Sequence, residues 1–375
     1  MDEAIYSIAL TQIPRVGAIS AKRLLDVAGS ATFLFEHISE LASQKSLKPW
    51  LVDQIMHAES YIEKATKLIE QTRALGIELI PYSSDRYPSR LKECDDAPVL
   101  LYYRGENINL NRKHIISIVG TRHITTYGQQ VCQAIVRDLQ AANPDILILS
   151  GLAYGVDICA HRSALNEGLD TIGVLAHGLD RVYPAAHRQI AQEMMHHGGL
   201  VSEFPIGTEP DRFNFVSRNR IIAGMSDATL IIESASKGGS LITAEFANTY
   251  NRDCFAVPGK ISDPYSAGCN KLIKNNQAQL VESAKDILEA LDWILATQKV
   301  SKQKELDLEV ETTPLPHLSK EEELIYTELK SKGETQINEL LITSGLPISK
   351  LQTLLFGLEM RGIVKAKAGG IYQLT

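Results

Sequence analysis

The 375-residue chain is 44% hydrophobic and 22% charged, the balance of an ordinary globular protein with room for two or three domains. No apolar run approaches the ~20 residues of a membrane helix, and the acidic start MDEAIYSIAL lacks the basic region of a signal peptide. A net charge of −7 argues against nucleic-acid binding over the whole surface but leaves room for one basic groove, and five scattered cysteines with no CxxC pair read as reduced cytosolic thiols. A cytoplasmic protein without metal, cofactor or membrane partner is expected.

In chain order, residues 1–70 read as short helices forming a small all-α N-terminal domain. Within it, IPRVGAISAKRLLDVAG (13–29) has the form of a helix-hairpin-helix. Pro14 to Gly17 make the turn, and Ala21, Leu24 and Leu25 share one face of the second helix. YIEKATKLIEQTRALG (61–76) is an amphipathic helix closed by a glycine cap. IELIPY and VLLYYRG follow as strands, and from 114 to about 295 strands and helices alternate. That alternation predicts a mainly parallel sheet with helices on both faces, an α/β core over 71–297. Residues 298–318, polar and with two prolines, read as a linker. Residues 319–375 give helix, helix, helix and a strand pair, the winged-helix order, with Ser319 and Glu322 spaced for a capping box.

The chemistry lies in the loops that follow the core strands. In HIISIVGTR (114–122), Gly120 lets the backbone approach a ligand, Thr121 offers a hydroxyl, and Arg122 a planar fork for phosphate. SKGGSLITAEFA (236–247) sets Lys237, Gly238, Gly239 and Ser240 before a helix, where free amides and the positive dipole end favour an anion. FNFVSRNRIIAGMSD interleaves Phe213 and Phe215 with Arg218, Asn219 and Arg220, and Arg212 stands just before. Aromatics among cations suit an unpaired strand, because bases stack while phosphates pair. Neither GxGxxG nor a Walker A loop occurs, which disfavours dinucleotide binding and ATP hydrolysis. Ser150, Asp157 and His161 lie too close in sequence for a hydrolytic triad, so Asp157 is read as a cap or a partner of a neighbouring loop. His177, His187, His196 and His197 lack metal spacing and are read as surface or capping residues.

These motifs, in this order, resemble the DNA-processing protein A family (DprA, also called Smf). The resemblance is carried by VGTR (119–122) with YG (127–128), SGLAYGVDICAHRSAL (150–165), LAHGLDRVYPAAH (175–187), GGLVSEFPIGTEP (198–210), SRNRIIAGMS (217–226), GGSLITAEFA (238–247) and FAVPGKISDPYSAGCNKLI (255–273). Cys159 departs from a frequent histidine and Gly239 from a frequent serine. The resemblance implies an extended Rossmann-like core that binds single-stranded DNA without catalysis, homodimerisation, and loading of the RecA recombinase onto incoming strands in natural transformation. It implies that Arg122 and Arg212 contact phosphate and that Phe215 stacks on a base. Arg218, Asn219 and Arg220 would support the groove, and Lys237 to Ser240 would hold phosphate.

Two other readings compete. GGSLITAE (238–245) looks distantly like the PGGxGTxxE signature of nucleotide phosphoribohydrolases, with Glu245 as the candidate catalytic carboxylate, although Leu241 replaces a glycine of that pattern. A sequence-specific regulator would use the helix ISKLQTLLFGLEMRG, whose only cations are Lys350 and Arg361. That is thin for duplex DNA, so protein contact suits this module better.

Overall fold

Near-continuous apolar runs such as IISIV and LILS have no polar face to give to water, so they form strands covered on both sides. A computed structural model describes residues 2–293 and 318–374, apart from 46, 107, 368 and 369. The helical N-terminus contains α1 (Glu3–Gln12), α2 (Ala18–Ala28), α3 (Ala31–Glu36), α4 (Ile38–Lys45), α5 (Pro49–Met56) and α6 (Glu59–Ala74). The core then runs β1 (Glu78–Pro81), α7 (Ser89–Lys92), β2 (Leu100–Gly105), β3 (Ile115–Val119), α8 (Thr126–Ala142), β4 (Leu147–Ser150), α9 (Val156–Asn166) and β5 (Thr171–Leu175). It continues through α10 (Arg188–Met194), β6 (Gly198–Ser202), α11 (Arg212–Met225), β7 (Ala228–Ile231), α12 (Ser240–Thr249), β8 (Asp253–Ala256), α13 (Ala267–Lys274), β9 (Gln279–Leu280) and α14 (Ala284–Ala290).

The nine strands lie in the order β1-β2-β6-β5-β4-β3-β7-β8-β9. β1 and β2 pair antiparallel, as do β2 and β6, and every other neighbour is parallel. Ile116 opposite Ala228 and Val119 opposite Ile231 set the register of β3 on β7. The period of two along each strand divides the core between faces. Ile115, Val119, Leu147 and Leu149 join one apolar cluster, while Ile116, Ile118 and Ile148 join another under Ile135, Val136 and Leu139 of α8.

The first cluster also contains Tyr6, Leu10, Leu25 and Leu34. The helical N-terminus therefore packs on the sheet, and residues 1–298 form one compact unit. α1 and α2 flank the expected turn, and Ala21, Leu24 and Leu25 are the buried face of α2. Gly76, with φ +68°, ends α6.

A second unit covers 299–375. The expected linker at 298–318 lies outside the described residues except for its last position. α15 (Lys320–Lys332), α16 (Ile337–Ser344) and α17 (Ile348–Met360) accompany β10 (Thr335–Gln336), β11 (Val364–Lys367) and β12 (Ile371–Leu374), an antiparallel sheet ordered β10-β12-β11. The Ser319–Glu322 capping box opens α15. Among the described residues no single helix is long and apolar enough to cross a membrane. α16 and α17 together have the length and composition, but they bend by 112° and bury Leu340, Leu351, Leu355 and Leu358 in one core.

Candidate nucleic-acid interface

From β3 the chain steps outward through β4, β5 and β6, then returns to lay β7 and β8 on the other side of β3. Loops leaving β3 and β7 diverge at this reversal, and a crevice opens beyond the carboxyl ends of the strands. Here it is a cleft of about 730 Å³. Gly120, Thr121 and Arg122 line it from the β3 loop, Ala153 and Asp157 from the β4 side, Arg212, Phe215, Arg218 and Asn219 from α11, and Gly238, Gly239 and Ser240 from the head of α12.

Two glycines let the β3 and β4 loops meet backbone to backbone. A Cβ on Gly120 would stand 2.4 Å from Val156 Cγ2, and one on Gly155, whose φ is +79°, 2.1 Å from the Thr121 carbonyl oxygen. The Val156 N–H donates to that carbonyl at 3.1 Å, and the Thr121 N–H donates to the Glu233 carbonyl at 2.7 Å. The Glu233 side chain is buried and accepts from the Thr125 N–H at 2.8 Å and the Thr125 hydroxyl at 2.5 Å. A buried carboxylate thus anchors the loop that presents Arg122.

The Arg122 side chain lies at the surface, with its guanidinium carbon 5.4 Å from the centre of the Phe215 ring. The guanidinium carbon of Arg218 is 6.0 Å from the same ring, and the ring of Tyr183 is 5.8 Å away. Phe215, half-buried, stands in the cleft wall with two cations near its π surface. Arg218 is buried and donates from Nη1 to the carbonyls of Gly151, at 2.8 Å, and Val174. Burial draws its pKa down to about 10, with Arg122 adding to the effect and Asp157 opposing it, so it stays charged at neutral pH. Burial also pushes the Asp157 carboxyl above its usual range, against the attraction of Arg218 and the Ala153 N–H at 3.4 Å. Asp157 therefore holds the β4 loop, as expected, and offsets the charge of the buried cation.

α12 begins without a side-chain cap, and the amides of Gly239 and Ser240 have no backbone acceptor among the described residues. The positive end of the helix opens on the cleft. The Ser240 hydroxyl donates to Ser234 Oγ at 2.9 Å, and the Asn219 amide reaches the Gly239 carbonyl at 3.5 Å.

Ten of the twelve residues expected at the site line this one cleft, and Lys237 and Arg220 do not. Lys237 is exposed, adjacent in sequence to Gly238. Arg220 corrects the expectation of a groove-supporting side chain. Its guanidinium is buried, pairs with Glu203 and donates to the Asp96 carbonyl at 2.7 Å. The reason is the helix period: residues two apart on a helix point about 200° apart, so Arg218 and Arg220 cannot serve one face. Tyr183, Pro210, Val216 and Thr243 also line the cleft, and no local sequence signal marked them.

Glu245 is exposed on α12 and is not part of the cleft wall. The Ser150 hydroxyl donates to the Ile118 carbonyl at 2.6 Å while His161 Nδ1 faces the Thr171 hydroxyl at 2.7 Å, so the two do not form a hydrolytic pair. His177 and His187 are buried, which corrects their reading as surface residues. Their Nδ1 atoms lie 2.9 Å from the Gly178 carbonyl and 2.8 Å from the Leu152 carbonyl.

Fold and site together define a Rossmann-like α/β protein with a cationic, aromatic cleft at the switch point of its sheet. The family model for DNA recombination-mediator protein A matches residues 78–292, and that for the DprA winged helix domain matches 309–370. The chain is 30% identical over 409 residues to Protein Smf of Synechocystis, covering 99% of this chain and 98% of that one. With DNA processing protein DprA of Bacillus subtilis it shares 39% over 233 residues, 62% of this chain and 77% of that one. Among solved structures, DNA processing protein A of Streptococcus pneumoniae aligns with a TM-score of 0.62 at 29% identity, covering 77% of this chain and 98% of that one. DNA processing protein A of Helicobacter pylori, whose structure was described for its single-stranded DNA binding mode, aligns with a TM-score of 0.52 at 29% identity over 57% of this chain and 95% of that one. The chain belongs to the DNA-processing protein A (DprA/Smf) family.

Proposed function

We propose that this protein binds single-stranded DNA in the switch-point cleft and loads the RecA recombinase onto it during natural transformation, acting without covalent catalysis, as a homodimer in the cytoplasm. The observation that carries the reading is Phe215, an aromatic platform flanked by the guanidinium groups of Arg122 and Arg218 and facing the uncapped start of α12. A base has a π surface to stack on, and its phosphates find planar cations and free amides within the same cleft. A duplex hides its bases and gains little from such a platform. The Helicobacter pylori relative described for single-stranded DNA binding supports the same ligand class.

The competing readings receive less support. A phosphoribohydrolase needs its carboxylate at the bound nucleotide, and Glu245 faces solvent outside the cleft wall. A duplex-reading winged helix needs free cations on α17, whereas Lys350 pairs with Glu321 at 2.5 Å and Arg361 pairs with Glu322. The deciding experiment is a gel shift of single-stranded against duplex oligomers over a salt series. Preferential, salt-weakened retention of the single strand is expected, and equal or stronger duplex binding would overturn the proposal.

A further inference from the structure

The edge of the sheet that carries the cleft has a second concavity. β8 lies beyond β7 in the sheet, and the loop after it forms, with the first turn of α8, a groove of about 540 Å³. Its walls are Tyr127, Pro258, Gly259, Lys260 and Asp263.

The loop is held from several sides. The Gly259 N–H donates to Asn270 Oδ1 at 3.2 Å, and the Asn270 amide donates back to the Gly259 carbonyl at 2.9 Å. The Ser234 N–H donates to the Tyr265 carbonyl at 2.7 Å and ties the loop to the cleft wall that follows β7. The Tyr127 hydroxyl donates to the Pro258 carbonyl at 2.8 Å, so a ring that is 45% exposed stands at a fixed angle to solvent. Asp263 is occupied by the Tyr265 N–H at 2.9 Å and the Ser266 hydroxyl at 3.3 Å. Lys260 is exposed and has no carboxylate partner among the described residues. One short loop joins the two concavities, since Arg122 lines the cleft and Tyr127 lines the groove.

We infer that the groove is a second nucleotide subsite, reached by the strand as it leaves the cleft across the loop between β3 and α8. The Tyr127 ring stacks on a base and Lys260 pairs with the adjoining phosphate. This rests on the reading of the cleft as a single-strand site. A fixed aromatic beside an unpaired cation, joined by one short loop to a cleft that also sets an aromatic among cations, fits a polynucleotide. It fits a folded protein less well, because the only large apolar side chain at the loop tip is Ile261 and a stable protein interface needs a broad patch. Stacking also tolerates any base, so the subsite extends the footprint without adding sequence preference.

The test compares Tyr127→Leu, Tyr127→Phe and Lys260→Gln with the unaltered full chain on a ladder of oligo-dT lengths, by fluorescence anisotropy at several salt concentrations. Long oligomers should bind Tyr127→Leu at least about five-fold more weakly, whereas the shortest oligomer that binds at all should not distinguish the two. Tyr127→Phe, which keeps the ring but loses the hydroxyl bond to the Pro258 carbonyl, should lose less affinity for long oligomers than Tyr127→Leu. Lys260→Gln should lower the salt slope on long oligomers by about 0.7 and leave it unchanged on short ones. Equal losses at every length, or none at any length, would overturn the second subsite. Absence of oligo-dT binding by the unaltered chain would instead sink the cleft reading.

Discussion

Replacing Arg122 with alanine isolates the electrostatic part of the cleft. The side chain is exposed and has no carboxylate partner among the described residues, so its removal leaves no buried charge behind. A charge-assisted hydrogen bond is worth about 1.5–3 kcal/mol, or roughly ten- to a hundred-fold in affinity at fixed salt. One fewer phosphate contact should lower the slope of log K against log salt by about 0.7 on a single strand. Between roughly 50 and 200 mM salt that alone changes affinity about two- to three-fold, so the deficit of the variant should shrink by that factor as salt rises. Phe215 keeps Arg218 near its ring, so the stacking contribution should survive in part. Arg122→Lys retains the charge but not the planar group, and should keep the slope while losing part of the affinity. Fluorescence anisotropy of labelled oligo-dT across a salt series measures both quantities. An Arg122→Ala protein with unaltered affinity and slope would refute the placement of phosphate at this loop.

Other substitutions separate structure from binding. Arg220→Met leaves Glu203, whose side chain is only 14% exposed, without its cation, which should cost up to about 3 kcal/mol of stability at neutral pH. Burial already raises the Glu203 carboxyl and Arg220 opposes that rise, so without the cation protonation should relieve the deficit on acidification that starts above the usual carboxylate range, as urea titration at several pH values would show, while the salt slope for DNA stays unchanged. Gly155→Ala forces a side chain onto a backbone with φ +79° and into the Thr121 carbonyl. The conformation alone costs about 1–3 kcal/mol, and both thermal stability and oligo-dT affinity should fall, because the loop that carries Arg122 must move. His161 is buried, and burial draws its pKa from 6.5 down to about 3. The unfolded chain takes up that proton first, so the contribution is full above pH 6.5 and is lost, at up to about 1.4 kcal/mol per pH unit, as pH falls toward 3. Stability of His161→Gln should fall less steeply across that window, and an equal slope would show that the ring does not titrate as described.

The alternation of apolar strands and amphipathic helices was enough to predict the parallel sheet, and the winged-helix pattern was legible down to the Ser319 cap. Both are local signals, read from residues near one another in the chain. The glycine, cation and aromatic loops were legible for the same reason, and Gly120, Thr121, Arg122, Arg212, Phe215 and Gly239 do share one cleft. What local pattern left open was direction. Arg218 and Arg220 are equivalent by type and almost by position, yet one lies under the cleft and the other pairs with Glu203 across the opposite face. Only the packing of α11 between the sheet and α7 sorts them, through contacts between residues far apart in sequence. Tyr183 and Thr243 reach the cleft in the same way, because the reversal of strand order at β3 gathers loops from distant parts of the chain. Composition and periodicity specify which elements form and what chemistry they carry, while burial, which depends on every neighbour at once, decides which way each side chain faces.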